Sequence, residues 1–382
     1  MTDISVSISG LRLSNPSVLA SGAIGWNGEQ LKKCAHAGAG AVVPKTIAPK
    51  QIKHPRNGRM RLVRVDQKVV GMMNLELFST LPFEQWLDTD LGRATEGGAP
   101  IIASVLSDPD PAYTQQVVGK ISDSGYVSMI ELNVSCPMPV AKVGMHISRD
   151  PLLISDQVRA AKSATQLPVC VKLTPNFAYV DELAKAAERA GADALTVANS
   201  VQGLHGVDIE TGRLTMPAFG GYSGPAIKPI NLKCTAQAAR SVNIPILGVG
   251  GISSWRDVVE YVMVGASAVQ VCTAPILHGL QIFKEITDGL SSFMKTKGYE
   301  SIQDFRGIAL KHLSSAEQLA ELKALHAVVD QNLCNGCGMC LPTCLFGAMD
   351  MAGKKAASNP GRCDGCGLCV EFCQLDAISL VE

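Results

Sequence analysis

The sequence predicts an α/β protein, a (β/α)8 TIM barrel followed by a small cysteine-rich domain. Two observations support this prediction. Eight short apolar runs alternate with helical patterns over about the first 300 of the 382 residues, which is the repeat of a barrel of parallel strands. Eight of the 13 cysteines then lie within roughly the last 50 residues, which sets that segment apart as a domain of its own.

The eight predicted strands are short, apolar and rich in β-branched residues. They are Val18–Ser21, Ala41–Lys45, Ile101–Leu106, Ser128–Asn133, Val169–Thr174, Ala194–Asn199, Pro245–Gly250 and Ala268–Thr273. Helical patterns lie between them, such as Tyr179–Ala190 before Gly191 and Ser254–Val264 before Gly265, where a glycine ends the helix. A doubly wound sheet is the competing topology. However, no strand leads into a G-x-G-x-x-G turn, so we expect no NAD(P)H site on this chain.

Composition excludes several classes of protein. A hydrophobic fraction of 47% with 18% charged residues rules out a disordered chain. Lys+Arg and Asp+Glu number 34 each, so we expect neither a nucleic-acid nor a membrane partner. The first five residues lack the basic and apolar segments of a secretory signal. The uncharged stretch 261–283 is broken by Gly265, Pro275 and Gly279, and we therefore expect a cytoplasmic protein.

The C-terminal cysteines form two runs with one spacing, C-x2-C-x2-C-x3-C, repeated after 29 residues. Thiolates are soft ligands that suit iron, and this spacing is typical of proteins with two [4Fe–4S] clusters. Zinc sites usually use two pairs of ligands, and a disulfide framework needs a secreted protein, so both alternatives are disfavoured. The sequence therefore predicts two iron–sulfur clusters.

The cluster ligands follow from the same spacing, because the fourth cysteine of each run binds the other cluster. The expected sets are Cys334, Cys337, Cys340 and Cys373 on one cluster, and Cys363, Cys366, Cys369 and Cys344 on the second. Residues 328–382 thus resemble a bacterial two-cluster ferredoxin. They depart from it at Leu345 and Gln374, which replace the proline that usually follows each fourth cysteine.

A helical linker is predicted between the two domains, over residues 301–327. Its leucines Leu319, Leu322 and Leu325 recur every third residue, as on one face of an amphipathic helix. We expect this face to pack on the barrel or on the ferredoxin-like domain. The predicted domains are therefore the barrel at 1–300, this linker, and the cluster domain at 328–382.

Polar residues concentrate where the predicted strands end, which is where such barrels carry their active sites. Lys45 and Lys172 end two strands, and a buried lysine is costly unless it is paired. Two lysines at one barrel mouth therefore indicate an anionic or electron-rich ligand. Gly250 and Gly251 end the seventh strand and match the usual phosphate site of this fold. Flavin mononucleotide (FMN) fits these features, with a lysine near its pyrimidine edge.

These strand ends resemble the dihydroorotate/dihydropyrimidine dehydrogenase flavoprotein family, over essentially the whole chain. The matching segments are Ala20-Ser21-Gly22, Lys45-Thr46, Asn74-Leu75-Glu76, Glu131–Pro137, Lys172–Asn176, Gly220–Gly224, Ile227–Pro229 and Gly250–Ile252. A barrel joined to a C-terminal ferredoxin most resembles the bacterial dihydropyrimidine dehydrogenase branch. In that branch a separate NADH-oxidising flavoprotein subunit supplies electrons.

The resemblance implies roles for the residues at matching motif positions. Cys136 would be the general acid/base, next to a loop, 138–150, that closes over the substrate. The residues that would bind the pyrimidine are Asn74, Asn133, Ser135, Asn199 and Ser200. Those that would hold FMN are Ala20, Ser21, Lys45, Thr46, Lys172, Gly224, Gly250, Gly251, Cys272 and Thr273. The family often has threonine in place of Ser200, and His146 in the loop is interpreted as a solvated side chain.

The reaction implied by the resemblance is reduction of the C=C bond of uracil or thymine. Electrons would enter through the two clusters from an NAD(P)H-oxidising flavoprotein subunit or a ferredoxin, and we expect an oligomer. One alternative keeps the cofactors but acts on dihydroorotate or another unsaturated cyclic amide or carbonyl compound. Glu76 disfavours a substrate that carries a carboxylate. Another alternative is an electron-transfer subunit of a larger complex, which Cys136 and the asparagines disfavour.

Overall fold

The structure is a computed structural model, and it describes residues 2–49, 58–136, 144–177 and 179–382. The chain divides into two compact units, Met1–Lys311 and His312–Glu382. The first unit contains eight parallel strands. In chain order they are β1 (Ser17–Leu19), β2 (Ala41–Val42), β3 (Ile102–Leu106), β4 (Met129–Asn133), β5 (Val169–Lys172), β6 (Ala194–Val197), β7 (Ile246–Val249) and β8 (Ala268–Val271).

The eight strands form a closed barrel. Strands β3 to β8 pair in sequence order, β8 pairs with β1, and β1 pairs with β2. A parallel bridge between Val42 and Ile101 joins β2 to the start of β3 and completes the circle. The predicted barrel is therefore confirmed. Lys45, Asn199 and Thr273 lie just beyond the observed strands.

A helix follows each strand and covers the outside of the barrel. The helices are α1 (Gly28–His36), α2 (Leu91–Thr95), α3 (Pro111–Asp123), α4 (Pro151–Ala164), α5 (Val180–Arg189), α6 (Lys228–Ala239), α7 (Trp255–Met263) and α8 (Ile282–Lys297). The core lies between strands and helices, where Leu195 and Val258 are fully buried. Helix α7 begins at a capping box formed by Ser254 and Asp257, which satisfies otherwise unpaired backbone donors of its first turn.

An antiparallel sheet lies beside the barrel mouth and was not predicted. The hairpin Met60–Val65 and Lys68–Asn74 is extended by Gly220–Ser223 and then by Val201–Gly203. In its register Asn74 lies opposite Gly221. Two smaller hairpins pair Val6–Ile8 with Leu11–Leu13 and Val207–Asp208 with Arg213–Leu214. The larger sheet brings Asn74 to the mouth of the barrel.

The second unit is built from two antiparallel strand pairs around a small core. His326–Val329 pairs with Ile378–Val381, Met349–Ala352 pairs with Lys355–Ser358, and a short helix spans Leu368–Glu371. Its core includes Ala327, Cys340, Ala356, Cys369 and Ile378.

The prediction for the linker leucines is wrong. A helix spans only Ala316–Ala320, so Leu322 and Leu325 lie beyond its end and share no helical face with Leu319. All three leucines are exposed. Among the described residues, no helix is both long and apolar enough to cross a bilayer.

Candidate active site and cluster sites

A cavity opens where the barrel strands end. The space free of protein atoms there, including the part open to solvent, is about 1030 Å³. The residues predicted to hold FMN all line it: Ala20, Ser21, Lys45, Thr46, Lys172, Gly224, Gly250, Gly251, Cys272 and Thr273. Predicted substrate-side residues line it as well, namely Asn74, Asn133, Cys136, Asn199 and Ser200. The structure thus brings both predicted groups to one place.

The glycines after β7 fit a phosphate group. Gly250 and Gly251 have φ values of +125° and +74°. A Cβ on Gly250 would lie 2.1 Å from Nδ2 of Asn231, and a Cβ on Gly251 would lie 2.6 Å from Cβ of Lys228. Only glycine therefore fits at either position. Without side chains, the backbone N–H groups here can approach an anion closely.

Each cavity lysine is paired with a buried glutamate. Nζ of Lys45 lies 3.2 Å from Oε2 of Glu76, and Nζ of Lys172 lies 3.7 Å from Oε1 of Glu131. Arg59 also hydrogen-bonds Glu76 through its Nε. The mouth is therefore less cationic than the two lysines alone suggest. The sequence held one signal for Glu131, because it precedes Asn133 by two residues and so shares the same strand face.

Asn133 and Asn199 are held in place by hydroxyl groups. Nδ2 of Asn133 donates to Oγ1 of Thr46 at 2.9 Å, and its Oδ1 accepts from Oγ of Ser135 at 3.2 Å. Nδ2 of Asn199 donates to the same Ser135 hydroxyl at 2.8 Å. Ser135 is fully buried beneath these amides. Ser135 is therefore located to hold the two asparagines in position. The resemblance implies a different role, direct contact with the substrate.

Cys136 lies at the cavity wall, and only 6% of its surface is exposed. Gly144 and Met145 contact Cys136 directly. Met145 donates its N–H to the Cys136 carbonyl at 3.1 Å, and a Cβ on Gly144 would lie 2.8 Å from Cβ of Cys136. His146 is exposed, as interpreted from the sequence. The remainder of the predicted closing loop, 138–143, lies outside the described residues.

Cys272 lines the cavity as a packed thiol. Burial raises its pKa, against the opposing charges of Lys172 and Lys45. A Cβ on Gly22 would lie 2.3 Å from the Cys272 Sγ, so the sulfur fills the space that a side chain would take. At neutral pH this group is therefore an uncharged packing element.

The eight C-terminal cysteines surround two cavities of the second unit. One cavity is lined by Cys334, Cys337, Cys340 and Cys373, and the other by Cys344, Cys363, Cys366 and Cys369. These are the two sets expected from the spacing. Among the described residues, no three His, Cys, Asp or Glu side chains are grouped to hold a single metal ion. A [4Fe–4S] cluster has four irons and four cysteine ligands, so its thiolates need only surround a cavity.

Backbone N–H groups point at several of these sulfurs. Ala348 donates to Sγ of Cys344 at 3.2 Å, and Ala377 donates to Sγ of Cys373 at 3.3 Å. Backbone hydrogen bonds from Ala356 and Gly336 lower the pKa of Cys334, which favours the thiolate that binds iron. These contacts fit cluster ligation, because hydrogen bonds to sulfur also tune the reduction potential.

Residues 3–294 match the family described as "Dihydroorotate dehydrogenase", and residues 326–349 and 357–379 each match a "4Fe-4S binding domain". The chain is 36% identical over 311 residues to "Dihydroorotate dehydrogenase B (NAD(+)), catalytic subunit" of Pyrococcus abyssi, covering 81% of this chain and 99% of that protein. The protein of the same name from Methanothermobacter thermautotrophicus is 38% identical over 307 residues, or 80% of this chain and 98% of that one. These alignments leave about a fifth of this chain unmatched.

A solved structure, DHODH in complex with ferulenol from Eimeria tenella, shares the fold. Its TM-score is 0.66 at 20% identity, over 82% of this chain and 89% of that chain. The barrel match and the two cluster-domain matches together give the cofactors of this chain, which are FMN and two [4Fe–4S] clusters.

Proposed function

Because this chain belongs to the dihydroorotate dehydrogenase family, we propose that it interconverts dihydroorotate and orotate. It is an FMN-dependent, iron–sulfur-containing oxidoreductase that acts on CH–CH bonds. The choice of substrate rests on relatives at 36–38% identity, both described as dihydroorotate dehydrogenase B catalytic subunits. Dihydroorotate therefore replaces uracil or thymine as the leading substrate.

The charges around Glu76 are compatible with a substrate carboxylate. One carboxylate oxygen faces Lys45 and the other accepts from Arg59. Among the residues that the structure describes around this carboxylate, these three side chains carry a combined charge of +1, from two cations and one anion. An additional carboxylate nearby is therefore not opposed by a net negative field. The objection that the sequence raised against dihydroorotate is weakened accordingly.

The residues of the cavity can perform the protein's share of this chemistry. FMN, when bound, supplies the two-electron acceptor. Asn74, Asn133 and Asn199 each offer an amide that can donate to a ring carbonyl and accept from a ring N–H. Cys136 can remove a proton from one ring carbon as the neighbouring carbon loses hydride, or return that proton in the reverse direction. The near-complete burial of Cys136 limits competing exchange with water.

The second unit supplies one-electron carriers. We infer an electron-exchanging partner, either an NAD(P)H-oxidising flavoprotein subunit or a ferredoxin. The words "NAD(+)" and "catalytic subunit" in the relatives' names support the first, and an oligomeric assembly with that subunit follows from it.

Reduction of uracil or thymine is the second candidate, and Glu76 favours it. This carboxylate is buried and lines the cavity, where an uncharged ring would not compete with it for Lys45 and Arg59. Orotate and uracil differ by one carboxylate on the same ring. A direct comparison of substrates therefore separates them.

The test is anaerobic and uses the whole chain with its cofactors. Oxidised protein is mixed with dihydroorotate or dihydrouracil, and photoreduced protein with orotate, uracil or thymine, while the flavin absorbance is followed. We expect rapid flavin reduction by dihydroorotate. A response only to the uncharged pyrimidines would make the second candidate correct. A flavin that responds to none of them would leave an electron-transfer subunit as the function.

A further inference from the structure

A buried carboxylate lies inside the barrel, on the strand that leads to Asn133 and Cys136. Glu131 belongs to β4, and none of its surface is exposed. Carboxylates are almost never fully buried unless they are paired, because leaving water is costly for a charge. The cavity chemistry described above assigns no role to Glu131. Its contacts indicate which groups its charge can affect.

Glu131 contacts three strands. Its Oε2 accepts from Oγ1 of Thr196 on β6 at 2.8 Å and from Nε2 of Gln270 on β8 at 2.5 Å. Its Oε1 lies 3.7 Å from Nζ of Lys172 on β5. That oxygen accepts no hydrogen bond from any residue that the structure describes. The remaining interaction of Oε1 is therefore electrostatic, with the Lys172 ammonium.

Glu131 also orients Gln270 toward Lys172. An ionised carboxylate only accepts hydrogen bonds, so the amide of Gln270 must present its NH2 group to Glu131. The amide oxygen of Gln270 then faces the other way, and it accepts from Nζ of Lys172 at 3.1 Å. Lys172 and Gln270 both line the cavity. Glu131 thus reaches the cavity through these two side chains.

We propose that Glu131 is a positioning residue that acts through Lys172 and sets the reduction potential of the bound flavin. The ammonium of Lys172 favours the negative charge that flavin gains on reduction. Glu131 lies behind the cavity lining and attracts that ammonium from 3.7 Å away, so it holds the ammonium back and weakens the field that the ammonium projects into the cavity. The inference rests on bound FMN and not on which pyrimidine is the substrate.

The first test is Glu131→Gln in the whole chain, which keeps the size of the side chain and removes its charge. The flavin midpoint potential is measured by anaerobic titration against reference dyes, with the clusters followed separately by EPR. We expect the reduction equilibrium to shift at least about tenfold toward reduced flavin, which is about 30 mV upward for a two-electron couple. An unchanged or lower potential would overturn the proposal.

A double-mutant cycle tests the route through Lys172. In a Lys172→Met background, Glu131→Gln should shift the potential by less than about threefold, because the ammonium that Glu131 positions is gone. The same shift in both backgrounds would mean that Glu131 acts directly, and the proposal would fail. Thr196→Val removes a hydrogen bond to the same carboxylate without changing any charge, and it should leave the potential within about threefold.

If Glu131→Gln does not retain FMN, Glu131→Asp takes its place. The retained charge should keep the flavin bound, with a potential close to that of the unmodified protein. Loss of FMN from the aspartate variant as well would show that the residue serves packing alone. Because these titrations contain no pyrimidine, a wrong substrate assignment would not change their outcome.

Discussion

The side-chain amide of Asn199 donates a hydrogen bond to the hydroxyl of Ser135, 2.8 Å away. These residues follow β6 and β4, which are not neighbours in the barrel. The same hydroxyl donates to Oδ1 of Asn133 at 3.2 Å. One buried serine therefore sets the direction of two amides that line the cavity.

Ser135→Ala should weaken substrate binding more than it slows the chemical step. Each lost hydrogen bond contributes about 0.5–1.5 kcal/mol, so we expect KM to rise about tenfold with a smaller change in kcat. Steady-state kinetics with the substrate identified in the anaerobic test measure both. Ser155→Ala is the matched control, because the hydroxyl of this buried serine of α4 donates to the backbone carbonyls of Pro151 and Ala186. Equal effects of the two substitutions on KM would argue against a positioning role.

Cys136→Ala should abolish most of the turnover while FMN stays bound. Loss of a positioned acid or base typically slows a reaction by about 10²–10⁴-fold. The rate of flavin reduction in a single anaerobic turnover is the measurement. Cys234→Ala, which removes another buried thiol from α6, should retain the rate. If Cys136→Ala reacts as fast as Cys234→Ala, another group transfers the proton.

Gly250→Ala should lose FMN. The added Cβ would lie 2.1 Å from Nδ2 of Asn231 at a φ of +125°, so the loop that fits the phosphate must move. Flavin content after purification is the readout. Gly125→Ala is the control, since Gly125 has a φ of +72° but no heavy atom of the described part of the chain within 4 Å of the added Cβ. It should cost only the strain of the left-handed backbone, about 1–2 kcal/mol, and keep the flavin. Full flavin in Gly250→Ala would mean that the phosphate binds elsewhere.

Pairs of serine substitutions can verify the cluster ligands. Cys344→Ser should lose one cluster, and so about half of the iron. Adding Cys366→Ser should cost little more iron, because both residues line the same cavity. Adding Cys337→Ser instead should remove the second cluster, since Cys337 lines the other cavity. Iron and sulfide analysis distinguishes the two pairs. The opposite result, in which Cys337→Ser costs little more iron and Cys366→Ser removes the second cluster, would place Cys344 on the same cluster as Cys337.

Asp257→Asn should destabilise the protein at neutral pH. Burial raises the pKa of Asp257, but hydrogen bonds from Lys228, Ser253 and Ser254 outweigh it, so the folded pKa is lowered. A carboxyl group whose pKa is lowered by folding stabilises the protein at pH values above its pKa in the unfolded chain, about 3.9. That stabilisation is lost as the pH falls through the pKa of the folded protein. We expect Asp257→Asn to lower the free energy of unfolding by about 1–2 kcal/mol at pH 7. This difference between the variant and the unmodified protein should become smaller below about pH 4. Urea denaturation at both pH values measures it, and a constant difference would contradict the assignment.

The barrel could be predicted from the sequence because its signals are local. Eight apolar runs with helices between them specify a parallel sheet by alternation alone, and each predicted strand overlaps an observed one. The grouping of the cysteines was likewise predictable, because their spacing carries it. The linker leucines show that periodicity alone does not predict where a helix ends. Their three-residue spacing continues to Leu325, whereas the helix ends at Ala320.

The partners of the two lysines could not be predicted in the same way. Lys45 meets Glu76, and Lys172 meets Gln270 across the barrel. Such contacts depend on how far each side chain reaches over the closed barrel, and sequence spacing does not encode that distance. The antiparallel sheet that carries Asn74 is also non-local, because it pairs residues 72–74 with residues 221–223. The electrostatics of the site therefore emerge only in three dimensions.

The crossed grouping of the cysteines has a consequence for how the chain matures during synthesis. With the proposed ligand sets, the group that begins first, at Cys334, is the last to be complete, because it waits for Cys373. The group that contains Cys344 is complete once Cys369 has left the ribosome. Both runs must therefore be synthesised before either set has all four of its thiolates.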